Sequence, residues 1–137
     1  GVADFVLQAG DHYRLAVASG GKREQIADAL RNTPIERVFP VIVSAEDTTI
    51  GKPDPAIYRL TLARLNDTDP KPQPPLQPAD CLVIEDSLAG IQSAKAAGMK
   101  VVGVATTYPA AVLKEADVVF PSLGAISFAQ LEQWFRD

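Results

Sequence analysis

Apolar residues fall along this chain in short clusters that alternate between two spacings. Val2, Phe5, Val6 and Ala9 recur at intervals of three and four, which places them on one face of a helix over residues 2–13. Leu15-Ala16-Val17-Ala18 is apolar on both faces and is closed by Ser19-Gly20-Gly21, the signature of a buried parallel strand. A helix follows over residues 22–30, with Ile26, Ala27, Ala29 and Leu30 inward. A second strand spans 38–43, with Pro40 suited to its start or to an edge. Residues 55–65 read as a helix with Pro55 in its first turn. After residue 80 come a strand (81–84), a helix (87–97), a strand (101–104), a short helix (109–115), a short strand (118–120) and an amphipathic helix (128–135). Trp134 and Phe135 anchor that last helix. Alternating helix and strand predict an α/β fold, a doubly wound parallel sheet with right-handed crossovers.

One stretch breaks the rhythm. Residues 66–80 hold Pro70, Pro72, Pro74, Pro75 and Pro78, five of the chain's 11 prolines, and predict a solvent-exposed, semi-extended excursion. A variable loop explains it, as does a proline-rich ligand for another protein's aromatic groove. At 137 residues, 47% of them hydrophobic and 22% charged, the chain has the make-up of one domain able to bury a core. A net charge of −4 argues against nucleic acid as a partner. No apolar run approaches the roughly 20 residues that span a bilayer, so no membrane partner is expected. The single cysteine, Cys81, is expected in the core and excludes a disulfide framework, which suits a reducing, cytoplasmic setting. The lone histidine, His12, makes a histidine-based metal cluster or catalytic triad a poor fit.

In a doubly wound sheet, ligands bind beyond the carboxyl ends of the strands. Three segments at such ends carry chemistry. Ser19-Gly20-Gly21 offers a hydroxyl and free backbone N–H groups where a helix begins, suited to an anion; an ordinary capped turn has the same residues. Gly51-Lys52-Pro53-Asp54-Pro55 holds a lysine between stiffening prolines; a solvated lysine beside a helix cap would look alike. Glu85-Asp86 ends the third strand, and paired hard-oxygen ligands suit Mg²⁺; two acids favoured by a helix dipole are the plainer account. Together they form a donor-rich turn, a positioned cation and a metal-binding pair on one rim, as phosphoryl transfer requires. An obvious nucleophile is absent from the set.

The blocks LAVASGG (15–21), GKPDPAIY (51–58) and CLVIEDSLAGIQSAKAAGM (81–99) resemble the haloacid dehalogenase-like hydrolases. The likeness runs from residue 1 to about residue 124 and is strongest to the β-phosphoglucomutase and phosphoglycolate-phosphatase-like branch. It implies that Ser19 and the Gly20 N–H bind the phosphoryl group and that Lys22 lies near substrate. It further implies that Lys52 neutralises nucleophile and phosphate, and that Glu85 and Asp86 hold Mg²⁺, with Asp86 the firmer ligand. By this resemblance the chain is the C-terminal part of a core domain. The family's first motif, an Asp-x-Asp-Gly whose first Asp attacks phosphate, has no counterpart here. Asp67-Thr68-Asp69 has the spacing but lies in the proline-rich loop, and it is rejected. The cap domain is also absent.

The implied activity is hydrolysis of a small phosphorylated metabolite, a sugar phosphate or phosphoglycolate. It would proceed through a phosphoaspartate formed outside this chain, leaving the 137 residues alone inactive. A phosphomutase is the alternative within the branch, and a non-catalytic binding or regulatory module the alternative outside it. A dehalogenase fits less well, because that chemistry in this family uses no metal. The resemblance also implies that the missing strand lies mid-sheet, so that the strands at 15–18 and 81–84 face an unfilled lane. Unpaired backbone groups there cost on the order of 1–3 kcal/mol each. The lane is therefore expected to close, to receive an N-terminal segment or another chain, or to leave the fold marginally stable.

Overall fold

The computed structural model describes residues 2–136, with side chains described as far as Trp134. In chain order the main elements are α1 (Val2–Gly10), β1 (Ala16–Ala18), α2 (Arg23–Leu30), β2 (Val41–Val43), α3 (Ala56–Asn66), β3 (Leu82–Glu85), α4 (Leu88–Ala96), β4 (Lys100–Val104), β5 (Val118–Phe120) and α5 (Phe128–Arg136). All strand pairs are parallel, as the alternation predicts, but they form two sheets. β1 pairs with β2, and β4 lies between β3 and β5.

The differences from the expected elements have local causes. Pairing of β2 starts at Val41, directly after Pro40, which has no N–H to give a ladder. α1 stops at Gly10, and the chain turns there before β1. Residues 109–115 make only a single tight turn over Ala110–Leu113, whose fully buried Leu113 serves as a plug. At the end of α4, Gly98 takes a φ of +83°. Its N–H bonds the Lys95 carbonyl and the Met99 N–H bonds that of Ala94, a glycine-terminated stop that sends the chain straight into β4.

Helices cover both faces. On one face α3 packs on β1 and β2, α4 packs on β3 and β4, and the two helices touch each other. The buried cluster beneath them joins Val41 and Val43 to Val83 and Val101 through Ile57, Tyr58 and Ile91, so one core spans both sheets. On the other face Val102, Val104, Ile126 and Leu131 pack with Phe5, Phe128 and Trp134, and the Phe5 and Phe128 rings stack at 5.1 Å. The side chain of Phe135, expected to anchor α5, lies outside the described residues. Cys81 is half-buried rather than fully in the core, and burial followed by the Asp80 charge pushes its thiol up to about 11.

The lane between β1 and β3 does not close. Instead the two strands wall a cleft of about 470 Å³ lined by Ala16, Ala18, Leu82, Ile84, Leu62 and Tyr13, among others. The Tyr13 hydroxyl is buried in that lining without a hydrogen-bond partner. The proline-rich excursion is largely exposed, as expected, but Pro72 is buried. Its far end is pinned where the Asn66 side chain donates to the Leu76 carbonyl (3.0 Å) and accepts from the Leu76 N–H (2.7 Å).

Candidate active site

The rim beyond the carboxyl ends of β1 and β3 is organised by Lys52. Its segment is fixed at two points: Asp54 Oδ1 accepts from the Ala56 N–H at the start of α3, and the Asp54 carbonyl accepts from the fully buried Ser93 hydroxyl of α4 at 2.6 Å. From there the ammonium reaches both sheets. Lys52 Nζ donates to the Ala18 carbonyl at the end of β1 (3.4 Å) and pairs with Glu85 Oε2 at the end of β3. Side-chain exposures of 16% and 8% mark this as a buried pair, in which loss of either partner strands a charge.

Glu85 is enclosed further. The Tyr58 hydroxyl donates to the same Oε2, and the Lys52 ammonium stands 5.2 Å from the centre of the Tyr58 ring. Burial, then the Glu85 charge, drive the Tyr58 phenol well above its ordinary range, so it stays protonated and acts as a donor. Behind the carboxylate lies Gly90 of α4, whose missing side chain makes room for it. Asp86, by contrast, is exposed, and its Oδ2 accepts from the Thr107 hydroxyl at 2.8 Å. Ser87 caps α4, its hydroxyl accepting from the Gly90 N–H at 3.1 Å.

On the β1 side, the Ser19 N–H extends the pairing with β2 by bonding the Val43 carbonyl (2.9 Å), while its hydroxyl accepts from the Gly21 N–H (3.0 Å). A side chain at Gly20 would meet nothing within 4 Å, so its backbone is open to approach. Ser19, Gly20, Lys52, Glu85 and Asp86 therefore occupy one rim, through Ala18 and Glu85, the two strand ends that Lys52 bridges. Lys22 is exposed at the head of α2 with its N–H on Gln25, outside the Lys52–Glu85 cluster.

Three contributors were not legible in the sequence: Tyr58, Thr107 and Ser93. Tyr58 carried one signal, a phenol on the inward face of a helix, which when buried needs a partner. Among the described residues no group of three or more His, Cys, Asp or Glu side chains clusters as a metal site.

The profile of the haloacid dehalogenase-like hydrolases matches residues 2–104. The chain belongs to this family. A validoxylamine A 7'-phosphate phosphatase of Streptomyces hygroscopicus subsp. limoneus is 33% identical over 117 residues, 85% of this chain and 51% of that protein. The β-phosphoglucomutase of Bacillus subtilis is 38% identical over 106 residues, 77% of this chain and 42% of that protein. The crystal structure of CbbY from Rhodobacter sphaeroides in complex with phosphate superposes with a TM-score of 0.81 at 28% identity, covering 96% of this chain and 57% of that one. The chain thus spans about half the length of these relatives, which fall in the expected branch. No helix among the described residues is long and apolar enough to cross a membrane.

Proposed function

We propose that this chain is the C-terminal part of the core of a Mg²⁺-dependent, cytoplasmic phosphohydrolase acting on a small phosphorylated metabolite of the sugar phosphate or phosphoglycolate type. The observation that carries this reading is Lys52, whose ammonium spans from the Ala18 carbonyl to Glu85 beside Ser19 and Asp86. A hydroxyl, a backbone N–H and a fixed ammonium around one point bind phosphoryl oxygens and neutralise charge that grows during transfer. Ser19 and the Gly20 N–H orient the phosphoryl group in this scheme, and Lys52 balances its oxygens. Lys22, exposed at the head of α2, contacts the far end of the substrate.

The donor set fits Mg²⁺, which takes one or two carboxylates and leaves its remaining positions to water and phosphate oxygens. Asp86, exposed at the rim, would ligate directly. Glu85 already has Oε2 engaged by Lys52 and Tyr58, which favours a role in fixing the lysine, with only Oε1 for the cation. Bound Mg²⁺ would supply charge neutralisation at the phosphoryl oxygens.

The attacking aspartate belongs to an extended segment seated in the cleft between β1 and β3, supplied by an N-terminal stretch or another chain. Two parallel half-sheets with open edges, an apolar lining and the unpartnered Tyr13 hydroxyl suit such a strand. The 137 residues alone are accordingly inactive. The test is hydrolysis of p-nitrophenyl phosphate and a panel of sugar phosphates, with Mg²⁺ or with chelator. The chain is assayed alone and with a co-expressed apolar strand ending in Asp-x-Asp. Restored, Mg²⁺-dependent turnover that Lys52→Met abolishes is expected. Turnover by the chain alone, or none with any docked segment, contradicts the proposal. A mutase outcome, favoured by the 38% identity to a β-phosphoglucomutase, would appear as an isomerised sugar phosphate without net phosphate release.

A further inference from the structure

Tyr58 lies on the buried side of α3 with 5% of its surface exposed, and a phenylalanine would fill the same volume. The hydroxyl therefore calls for an account other than packing. It donates to Glu85 Oε2, the oxygen that also receives the Lys52 ammonium, while the ring face stands 5.2 Å from that ammonium. Three side chains thus close a triangle in which every pair is in contact. A lysine has four flexible carbons, and a single ion pair leaves it free to pivot about its acceptor. Here the Ala18 carbonyl lies within reach on the other strand, so an unsupported ammonium would divide itself between the two sheets. Two donors on one carboxylate oxygen and a ring face beside the cation together remove that freedom.

We propose that Tyr58 is a positioning residue, which holds Lys52 and Glu85 in one mutual geometry at the rim. What Lys52 does there rests on the phosphoryl-transfer reading; the geometry itself is read without turnover. The ¹⁵N-labelled chain is compared with its Tyr58→Phe form by following the Lys52 ammonium protons, assigned through Lys52→Arg. Wild type is expected to give a slowly exchanging ammonium signal, with a nuclear Overhauser contact between the Tyr58 ring and the Lys52 ε-methylene. Tyr58→Phe is expected to keep the amide spectrum of the fold while ammonium exchange quickens at least tenfold. In the strand-complemented enzyme the same change lowers kcat about tenfold with KM within twofold.

Unchanged ammonium exchange in a folded Tyr58→Phe overturns the proposal. So does absence of the ring-to-ε-methylene contact in wild type, a result that stands even where the variant does not fold. If the ammonium behaves as expected while no phosphate ester is hydrolysed by the complemented protein, Tyr58 keeps its role and the phosphohydrolase reading fails.

Discussion

The Glu85 carboxylate occupies the space where a side chain on Gly90 would stand: a Cβ built on that glycine falls inside contact distance of the carboxyl carbon and both oxygens. In an exposed helix, replacing glycine with alanine adds about 1 kcal/mol of stability through helix propensity. At position 90 the sign reverses. Gly90→Ala must push Glu85 away from Lys52 and Tyr58, and leaving a buried ionic group poorly paired costs on the order of 3–5 kcal/mol. A net destabilisation of about 2–4 kcal/mol is expected from urea unfolding. Stabilisation by this substitution would show that the carboxylate moves aside freely.

Lys52 and Glu85 are predicted to be coupled more strongly than surface pairs. Lys52→Ala strands a carboxylate that is 8% exposed and should cost about 3–5 kcal/mol. Adding Glu85→Gln removes the stranded charge, so the double variant should be more stable than Lys52→Ala alone. Equal urea midpoints for the single and double variants would mean that water already screens the pair.

Asp47 sets a pH dependence of stability. Its carboxylate accepts from the Ser44 N–H (2.8 Å) and hydroxyl (3.1 Å) and faces Arg23 and Arg64. The Ser44 backbone bond first, and then the Ser44 hydroxyl and the two arginines, hold its pKa below the usual carboxylate range, against the opposing effect of burial. A depressed folded-state pKa contributes stability that is full above the unfolded value of about 4 and is lost as pH falls through the folded one. Wild type should therefore lose stability more steeply than Asp47→Asn below about pH 4. Parallel acid limbs in urea titrations at stepped pH would refute this.

Asn66 should control the proline-rich excursion. Its side chain makes both hydrogen bonds that hold Leu76, and each contributes about 1 kcal/mol. Asn66→Ala is expected to lower stability by about 1–2 kcal/mol and to speed hydrogen exchange of the Leu76 amide, which loses its acceptor, with little change in exchange elsewhere. Exchange of the Leu76 amide at the wild-type rate would mean that buried Pro72 alone holds the loop.

The order of helices and strands, their parallel direction and the gathering of Ser19, Lys52 and Glu85-Asp86 at one rim were legible in the sequence. Each rests on local rules: apolar spacing sets the element type, glycine and proline set its ends, and alternation sets the direction of the strands. The blocks around Ser19, Lys52 and Glu85-Asp86 were legible because they set polar and charged residues directly at the ends of apolar runs, where a parallel sheet leaves room for a ligand. What lay beyond the sequence were relations between residues far apart in it. That Lys52 bridges Ala18 and Glu85, that Tyr58 completes the triangle, that Gly90 makes room for a carboxylate and that Thr107 reaches Asp86 all depend on how α3, α4 and the β4 loop pack. So does the open cleft: nothing local to Leu15–Ala18 or Cys81–Ile84 states whether their edges meet. Packing of α3 against α4 decides it, because burying one continuous core beneath both helices holds β1 and β3 apart as well as together.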